Sequence, residues 1–456
     1  DSAQFVAPAP VAGSTEAFRA WIIGDAGTGD ASQASVRDAY ATWTGATATG
    51  LWLMLGDNAY DTGSDEEYQS AVFDMYGALL RKSPLWATRG NHETLAAVYS
   101  SIFSLPSGGE CGGVPSGTEA YYAFDWGNAH FVCLDSQGSD RSVGGAMYTW
   151  LQTDLAASAQ EWSIAFWHHP PYTKGSHDSD VDVQLIEMRE NFLPLLEAHG
   201  VDLVLCGHSH DYERSFLLDG HYGDSTTFAT SMKKDLGDGN PANDGAYNKI
   251  AGPNRGAVYC VAGSSGKTGG DGLLDHPAMR VAMYRLGSLV LDVAGGRLEG
   301  RFLDSTGVIV DRFVLLHPSY SGTYCKAKVN SQGCTPAIGS VGAPSATSAA
   351  PFTISCASAI PGKVGLLIYG FAPASAPFSG GKLCVASPIK RMPGQIASGF
   401  GTCGGGYADD FQARIQSGID PALQAGVTVD AQYWYRDPPA SFGVGLSDAL
   451  QLTIGT

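Results

Sequence analysis

The residues able to do chemistry in this chain sit at the ends of apolar runs. WIIGDAG ends on Asp25, LWLMLGDNAY on Asp57 with Tyr60 three residues later, and WATRGNHE on Asn91 and His92. IAFWHHPP ends on His168 and His169, and LVLCGHSHDYER on His208 and His210. Carboxylate, phenol, carboxamide and imidazole all bind metals, and two imidazoles separated by one residue on a turn can face two adjacent ions. Taken singly, each turn has a plainer reading. An Asp after Gly at a strand end caps the next helix, and a lone Tyr after a turn packs. Five such turns in one stretch are more than capping explains, and together they read as a two-metal site.

The elements that must position these turns are strands and helices in alternation. From Phe18 to about His317, apolar runs (RAWIIG, LWLML, PLWATR, AYYAFDW, AHFVCLD, SIAFW, VDLVLC, AVYCVAG) are separated by amphipathic helical patterns such as SQASVRDAYATW, EEYQSAVFDMYGALLRK, MYTWLQTDLAAS and VQLIEMRENFLPLLEAHG. That alternation defines an α/β layered domain, a sheet sandwich flanked by helices. From Met279 the pattern turns to a meander with period-two alternation. In open α/β sheets ligands gather beyond the carboxyl ends of strands, so the five turns converge on one edge.

Residues 215–256 are polar and rich in Gly, Asp and Asn, which predicts a long insertion acting as lid or rim. Its DLGDGNPANDG stretch reads as a solvated acidic loop rather than a calcium site. The expected organisation is an N-terminal arm over 1–16, a catalytic domain over 17–318 and a C-terminal module over 319–456. The last shows short strands, many turns and no convincing helix, which predicts a smaller all-β sandwich.

A net charge of −18, from 27 Lys and Arg against 45 Asp and Glu, argues against nucleic acid or an anionic membrane surface as partner. A phosphate-handling site in such a chain needs local positive charge, and metal ions supply it. Of nine cysteines, Cys133, Cys206 and Cys260 lie in apolar runs and read as buried thiols. Five beyond residue 320 suggest disulfides and an oxidising compartment, secreted or periplasmic. Loop proximity favours Cys325 with Cys334 and Cys384 with Cys403, leaving Cys356 and Cys111 as a further pair. The chain reads as a processed protein without a membrane span.

The order GDxG, GDxxY, GNHE, xxH and GHxH over residues 20–316 resembles the binuclear metallophosphoesterase (calcineurin-like) superfamily and, within it, the purple acid phosphatases. Ala165 stands where the fourth block commonly opens on valine, and the extra module is C-terminal rather than N-terminal as in the large plant enzymes. The resemblance implies a four-layer α-β-β-α sandwich and two metal ions. One site would use Asp25, Asp57, Tyr60 and His210, and the other Asp57, Asn91, His168 and His208. Asp57 would bridge ions about 3.5–4 Å apart.

It further implies Fe(III) at the tyrosinate and a divalent Fe, Zn or Mn beside it. With a bridging hydroxide the ligand charges sum with the metals to about +1, which attracts a phosphate oxyanion and yields hydroxide in mild acid. His92 and His177 are expected to bind phosphate and protonate the leaving group. Asp178 stands where plant enzymes carry a further histidine, and His169 either lines the pocket or is a turn histidine. Glu213 and Arg214 read as a structural pair, GSSGKTGG as a turn near the site, and His130, His199, His221, His276 and His317 as structural.

The implied function is an acid phosphatase hydrolysing monoesters by attack of metal-bound hydroxide. Phosphodiesterase, nucleotidase or phytase specificity is the alternative on the same fold. The expected partners are small phosphorylated substrates and, through the C-terminal module, an extracellular polymer.

Overall fold

The computed structural model describes residues 11–14, 16–243, 245–249, 253–317 and 322–455. Most of the expected arm and the expected boundary at 318/319 lie outside the described residues. The chain forms two compact units, one of Asp1–Leu236 with Lys249–Phe313 and the other of Gly237–Asn248 with Val314–Thr456. The 215–256 insertion is therefore divided. Its Ala246 packs with Val314, Leu316, Tyr324 and Ala449 of the second unit.

In chain order the first fourteen strands are β1 (Phe18–Ile23), β2 (Leu51–Met54), β3 (Leu85–Ala87), β4 (Tyr122–Trp126), β5 (Ala129–Cys133), β6 (Trp162–Trp167), β7 (Leu203–Cys206), β8 (Tyr212–Ser215), β9 (Tyr247–Asn248), β10 (Val258–Ala262), β11 (Met279–Met283), β12 (Gly287–Ala294), β13 (Arg297–Asp304) and β14 (Ile309–Leu316). They build two mixed sheets, ordered β3-β2-β1-β12-β13-β14-β9 and β11-β8-β10-β7-β6-β5-β4. Strands β1, β2 and β3 run parallel in the first sheet, as do β5, β6, β7 and β10 in the second. The expected meander is absorbed into both sheets: β11 joins the second and β12–β14 the first.

Burial on both faces explains why these strands read as unbroken apolar runs rather than alternating ones. On β6, Ala165 and Trp167 face outward to Trp150, Leu151 and Phe192 of the helical segments Ala146–Ala157 and Val183–Ala198. On the first sheet Trp21 stacks with Tyr40 of the helix Ala31–Thr44 at 4.5 Å, and Trp52 meets Tyr76 at 5.1 Å. Between the sheets Trp86 stacks on Phe124 at 3.7 Å and Phe18 meets Phe131 at 6.4 Å. The layers are α-β-β-α, and each buried aromatic contributes roughly 2–3 kcal/mol of transfer free energy.

Helix starts follow the sequence: Asp30 accepts from the amides of Ser32 and Gln33, and Ser64 with Glu67 forms a capping box. Two predicted helices carry a π-helical stretch within them, Gln69–Asp74 and Met188–Phe192. Arg214 of β8 forms a bidentate pair with Asp311 of β14, at 2.6 and 2.9 Å, and so ties the two sheets together. This corrects the expected pairing of Arg214 with Glu213.

The second unit holds sheets of six, three and two strands. Ile354 and Cys356 from the three-stranded sheet share a core with Leu367, Val429, Tyr433 and Leu452 from the six-stranded one, so the module is a β-sandwich. It also contains a helix, Phe411–Gln416, started by the Asp410 carboxylate on the Ala413 amide. Six residues are too few for a periodic signal, which is why none was expected.

The disulfides correct the expected pairing: they join Cys325 to Cys384 and Cys334 to Cys403, with Cα separations of 6.2 and 5.8 Å. Proximity along the chain is the wrong guide where a strand intervenes. Cys384 lies in Gly381–Val385, and folding brings it to Cys325 across 59 residues. Cys356 faces the module's core, and Cys111 is exposed; both are free, as are the buried Cys133, Cys206 and Cys260. Among the described residues no helix is long and apolar enough to cross a membrane.

Candidate metal centre

The five turns arise where β1, β2 and β3 of one sheet and β6 and β7 of the other end. They bend sharply: Asp25, Asp57 and His208 have φ of 54°, 52° and 69°. A non-glycine residue in the left-handed region costs about 1–2 kcal/mol, and strain of this kind clusters at functional sites. Glycine spaces the turns. A Cβ on Gly90 would overlap the Asp57 carboxylate and amide, and one on Gly56 would overlap the His168 ring.

The side chains form two groups around a shared carboxylate. Tyr60 donates its hydroxyl to Asp57 Oδ2 at 3.0 Å and stands 3.3 Å from Asp25 Oδ1 and 3.5 Å from His210 Nε2. His210 Nε2 lies 3.6 Å from Asp25 Oδ1. In the other group Asn91 Oδ1 is 2.9 Å from both His168 Nε2 and His208 Nδ1, and those nitrogens are 3.2 Å apart. Asp57 Oδ1 reaches this group at 3.5 Å from His168 Nε2. His168 Nδ1 bonds the Leu55 carbonyl at 2.8 Å, which turns Nε2 toward the cluster as a free acceptor.

The electrostatics suit cations. Burial pushes the imidazoles of His168 and His208 down, and that of His210 to about 3 by burial and then by the Lys267 charge, which favours their neutral, metal-binding forms. Burial, then the Asp57 charge, raises Asp25. Burial also opposes ionisation of Asp57, but His168 and the His92 amide prevail and hold it low. Burial and the two aspartates raise Tyr60. Neutral imidazoles, carboxylates, a carboxamide oxygen and a phenol converge with few donors among them, and a cation in each group satisfies them all. The residues fit two ions.

Around this core His92 packs edge-on to Tyr60, ring centroids 4.6 Å apart, and donates its amide to Asp57 Oδ1 at 2.9 Å. His177 stacks on His208 at 3.7 Å, with Nδ1 3.1 Å from Asp182 Oδ2. It lines a cavity of about 650 Å³ with Ser176, Asp178, Asp182, Asp271 and Asp275. Asp178 is held by Lys174 at 2.7 Å. His169 is buried beside His208, ring centroids 4.4 Å apart, with Nδ1 2.8 Å from Ser136 Oγ, and a ring nitrogen of it lies within 4.8 Å of nitrogens of His168 and His208.

Two residues escaped the sequence reading. Glu93, last in GNHE, is buried and accepts from the amides of Asp57 (3.0 Å), Asn58 (2.6 Å) and Gly90 (2.6 Å), locking two ligand turns together. Burial, then Asp57, pushes its carboxyl up to about 7. Lys267 of GSSGKTGG places its ammonium 3.7 Å from the Tyr60 ring centroid, a cation where none was expected. A carboxylate beside a ligand motif and a lysine in a strand-end loop were the available signals.

This fold and site define a metallophosphoesterase domain. Residues 18–212 match the calcineurin-like phosphoesterase family, and the chain carries a domain of that family. It is 36% identical over 201 residues to purple acid phosphatase 15 of Arabidopsis thaliana, covering 36% of each protein. Purple acid phosphatase 18 of the same plant is 31% identical over 175 residues, 36% of this chain and 38% of that protein. An uncharacterised Mycobacterium tuberculosis protein, Rv2577, is 27% identical over 197 residues, 38% of this chain and 36% of that one. In structure, purple acid phosphatase PPD1 from yellow lupin seeds matches with a TM-score of 0.54 at 16% identity, over 68% of this chain and 55% of that one, a likeness of fold. The chain thus spans little more than a third of the length of these curated relatives.

Proposed function

We propose that this chain is a secreted or periplasmic binuclear-metal phosphatase that hydrolyses phosphate monoesters, of the purple acid phosphatase type. The observation that carries the reading is the Tyr60 hydroxyl placed within 3.5 Å of Asp57, Asp25 and His210 at once. One ion would be held by Asp25, Asp57, Tyr60 and His210, ferric iron being the ion a tyrosinate favours. The other, a divalent Fe, Zn or Mn, would be held by Asp57, Asn91, His168 and His208. Bound there, the pair supplies Lewis acidity that acidifies water and neutralises phosphoryl oxygens.

The protein's own groups do the rest. His92 is oriented by its Nδ1 on the Asp61 carbonyl at 2.9 Å, which leaves Nε2 to meet a phosphate oxygen. His177, fixed by Asp182 and facing the cavity, is placed to hand a proton to the leaving alkoxide. The two disulfides fit an oxidising compartment. The charge of −18 leaves small phosphorylated molecules, rather than nucleic acid or membrane, as partners. The module's attachment to an extracellular polymer stands as part of the proposal.

The test is the visible spectrum of the purified protein with a monoester and a diester assay beside it. A broad purple band lost in Tyr60→Phe, with faster monoester turnover, is expected. A colourless protein holding two divalent ions refutes the ferric assignment, and diester preference refutes the substrate class.

A further inference from the structure

The loop after β10 is bolted to the ligand turns at several points. The Ser265 amide donates to the Gly24 carbonyl at 3.1 Å, and the Gly24 amide donates to Ser265 Oγ at 3.3 Å. Ser265 Oγ in turn donates to Gly287 O at 2.9 Å. Further along, Thr268 Oγ1 and the Gly269 amide both donate to the His210 carbonyl at 3.1 Å. Gly266 packs so closely that a Cβ would meet the Asp25 and Ala26 carbonyl oxygens at 2.7 Å. Lys267 lies between these anchors, half-buried, and its ammonium is delivered to the face of Tyr60 at 3.7 Å while His92 meets the same ring edge-on. Lys174, which also lines the cavity beside the site, is spent on the carboxylates of Asp178 and Asp180.

We infer that Lys267 is a positioning residue whose fixed positive charge tunes the Tyr60 phenolate as a metal ligand; this rests on the ferric-tyrosinate reading above. A cation over an aromatic face is attracted by the ring's quadrupole, and the attraction grows when the ring carries the negative charge of a phenolate. In a chain of net charge −18, with Asp25 and Asp57 both beside the phenol, this cation is the protein's own counterweight to a third negative ligand. The charge lies closer to the phenolate, which gives up electron density in the tyrosinate-to-iron transition, than to the metal that receives it. Lys267 therefore raises the energy of that transition, and removing it moves the band to longer wavelength. Coulomb's law at an effective dielectric of about 20 puts the shift on the order of ten nanometres.

The experiment is the absorption maximum of the iron-loaded full chain as wild type, Lys267→Met and Lys267→Arg, with circular dichroism reporting the fold. The expected result is a red shift in Lys267→Met and a maximum close to wild type in Lys267→Arg. Iron uptake lost in Lys267→Met and kept in Lys267→Arg, with both folded, also supports the role of the charge. A coloured wild type with an unmoved maximum in Lys267→Met overturns the inference alone, as does equal loss in both variants. A colourless wild type overturns it together with the ferric reading.

Discussion

At the scale of single residues, the centre separates groups that hold from groups that act. The proposed ligands have their free atoms turned inward and their other atoms fixed: His168 by Leu55 O, Asp25 by the His208 amide at 2.7 Å, Asp57 by the His92 amide. His177 differs. It is about a third exposed, stacks on a ligand without sharing its acceptors, and pairs through Nδ1 with Asp182. If it supplies the leaving-group proton, its removal matters in proportion to the basicity of the departing oxygen. His177→Ala should slow hydrolysis of an alkyl phosphate by roughly a hundredfold, the usual worth of general-acid help, and of an activated aryl phosphate by less than about tenfold. Rates with the two substrates decide it, and equal losses would remove His177 from the acid role.

At the scale of elements, the site is a property of how strands end. Three donors sit in left-handed backbone, which turns hold only when something pins them. Asp25 and His208 pin each other through the His208 amide on Asp25 Oδ2, and Glu93 pins Asp57, gathering amides from the turns after β2 and β3 on one buried carboxylate. Glu93→Gln keeps the shape but sets a donating NH2 against one set of amides. It should weaken metal affinity roughly 10–100-fold, as loss of an outer partner of metal ligands does, while the far-ultraviolet dichroism stays unchanged. Metal content after dialysis measures it, and full retention would show that the turns hold without it. The same logic marks what the sequence made legible. Apolar runs ending in Asp25, Asp57, Asn91, His168 and His208 announced both the sheets and the convergence of these side chains, because five donor-ended strands in one stretch are more than capping explains. Pairings across strands were not legible. Cys325 with Cys384 and Arg214 with Asp311 depend on register and on which sheet a strand joins, neither of which is written in local spacing. Nor was the π-helical stretch Gln69–Asp74, since its apolar pattern is that of an α-helix.

At the scale of the whole molecule, this chain carries a group that opposes folding in acid. His221 is fully buried, stacked on Tyr172 at 5.2 Å and edge-on to Phe228 at 5.0 Å, with neither ring nitrogen partnered. Burial, then the Arg189 charge, lowers it to about 4, and Asp180 and Asp224 offset this in part. Its unfolded value is about 6.5. A group whose folded pKa is depressed in this way is neutral in the fold. Its contribution to stability is complete above pH of about 6.5 and is lost as pH falls from there toward 4, because the unfolded chain takes up the proton first. His221→Phe fills the same space between Tyr172 and Phe228 without a titrating atom. Relative to wild type, the variant should gain on the order of 1 kcal/mol more stability at pH 5 than at pH 7.5, after allowance for solvent screening. Urea midpoints at the two pH values measure this directly. A gain of equal size at both would mean that His221 finds its proton partner in the fold after all, and that the acid limit of the molecule lies elsewhere.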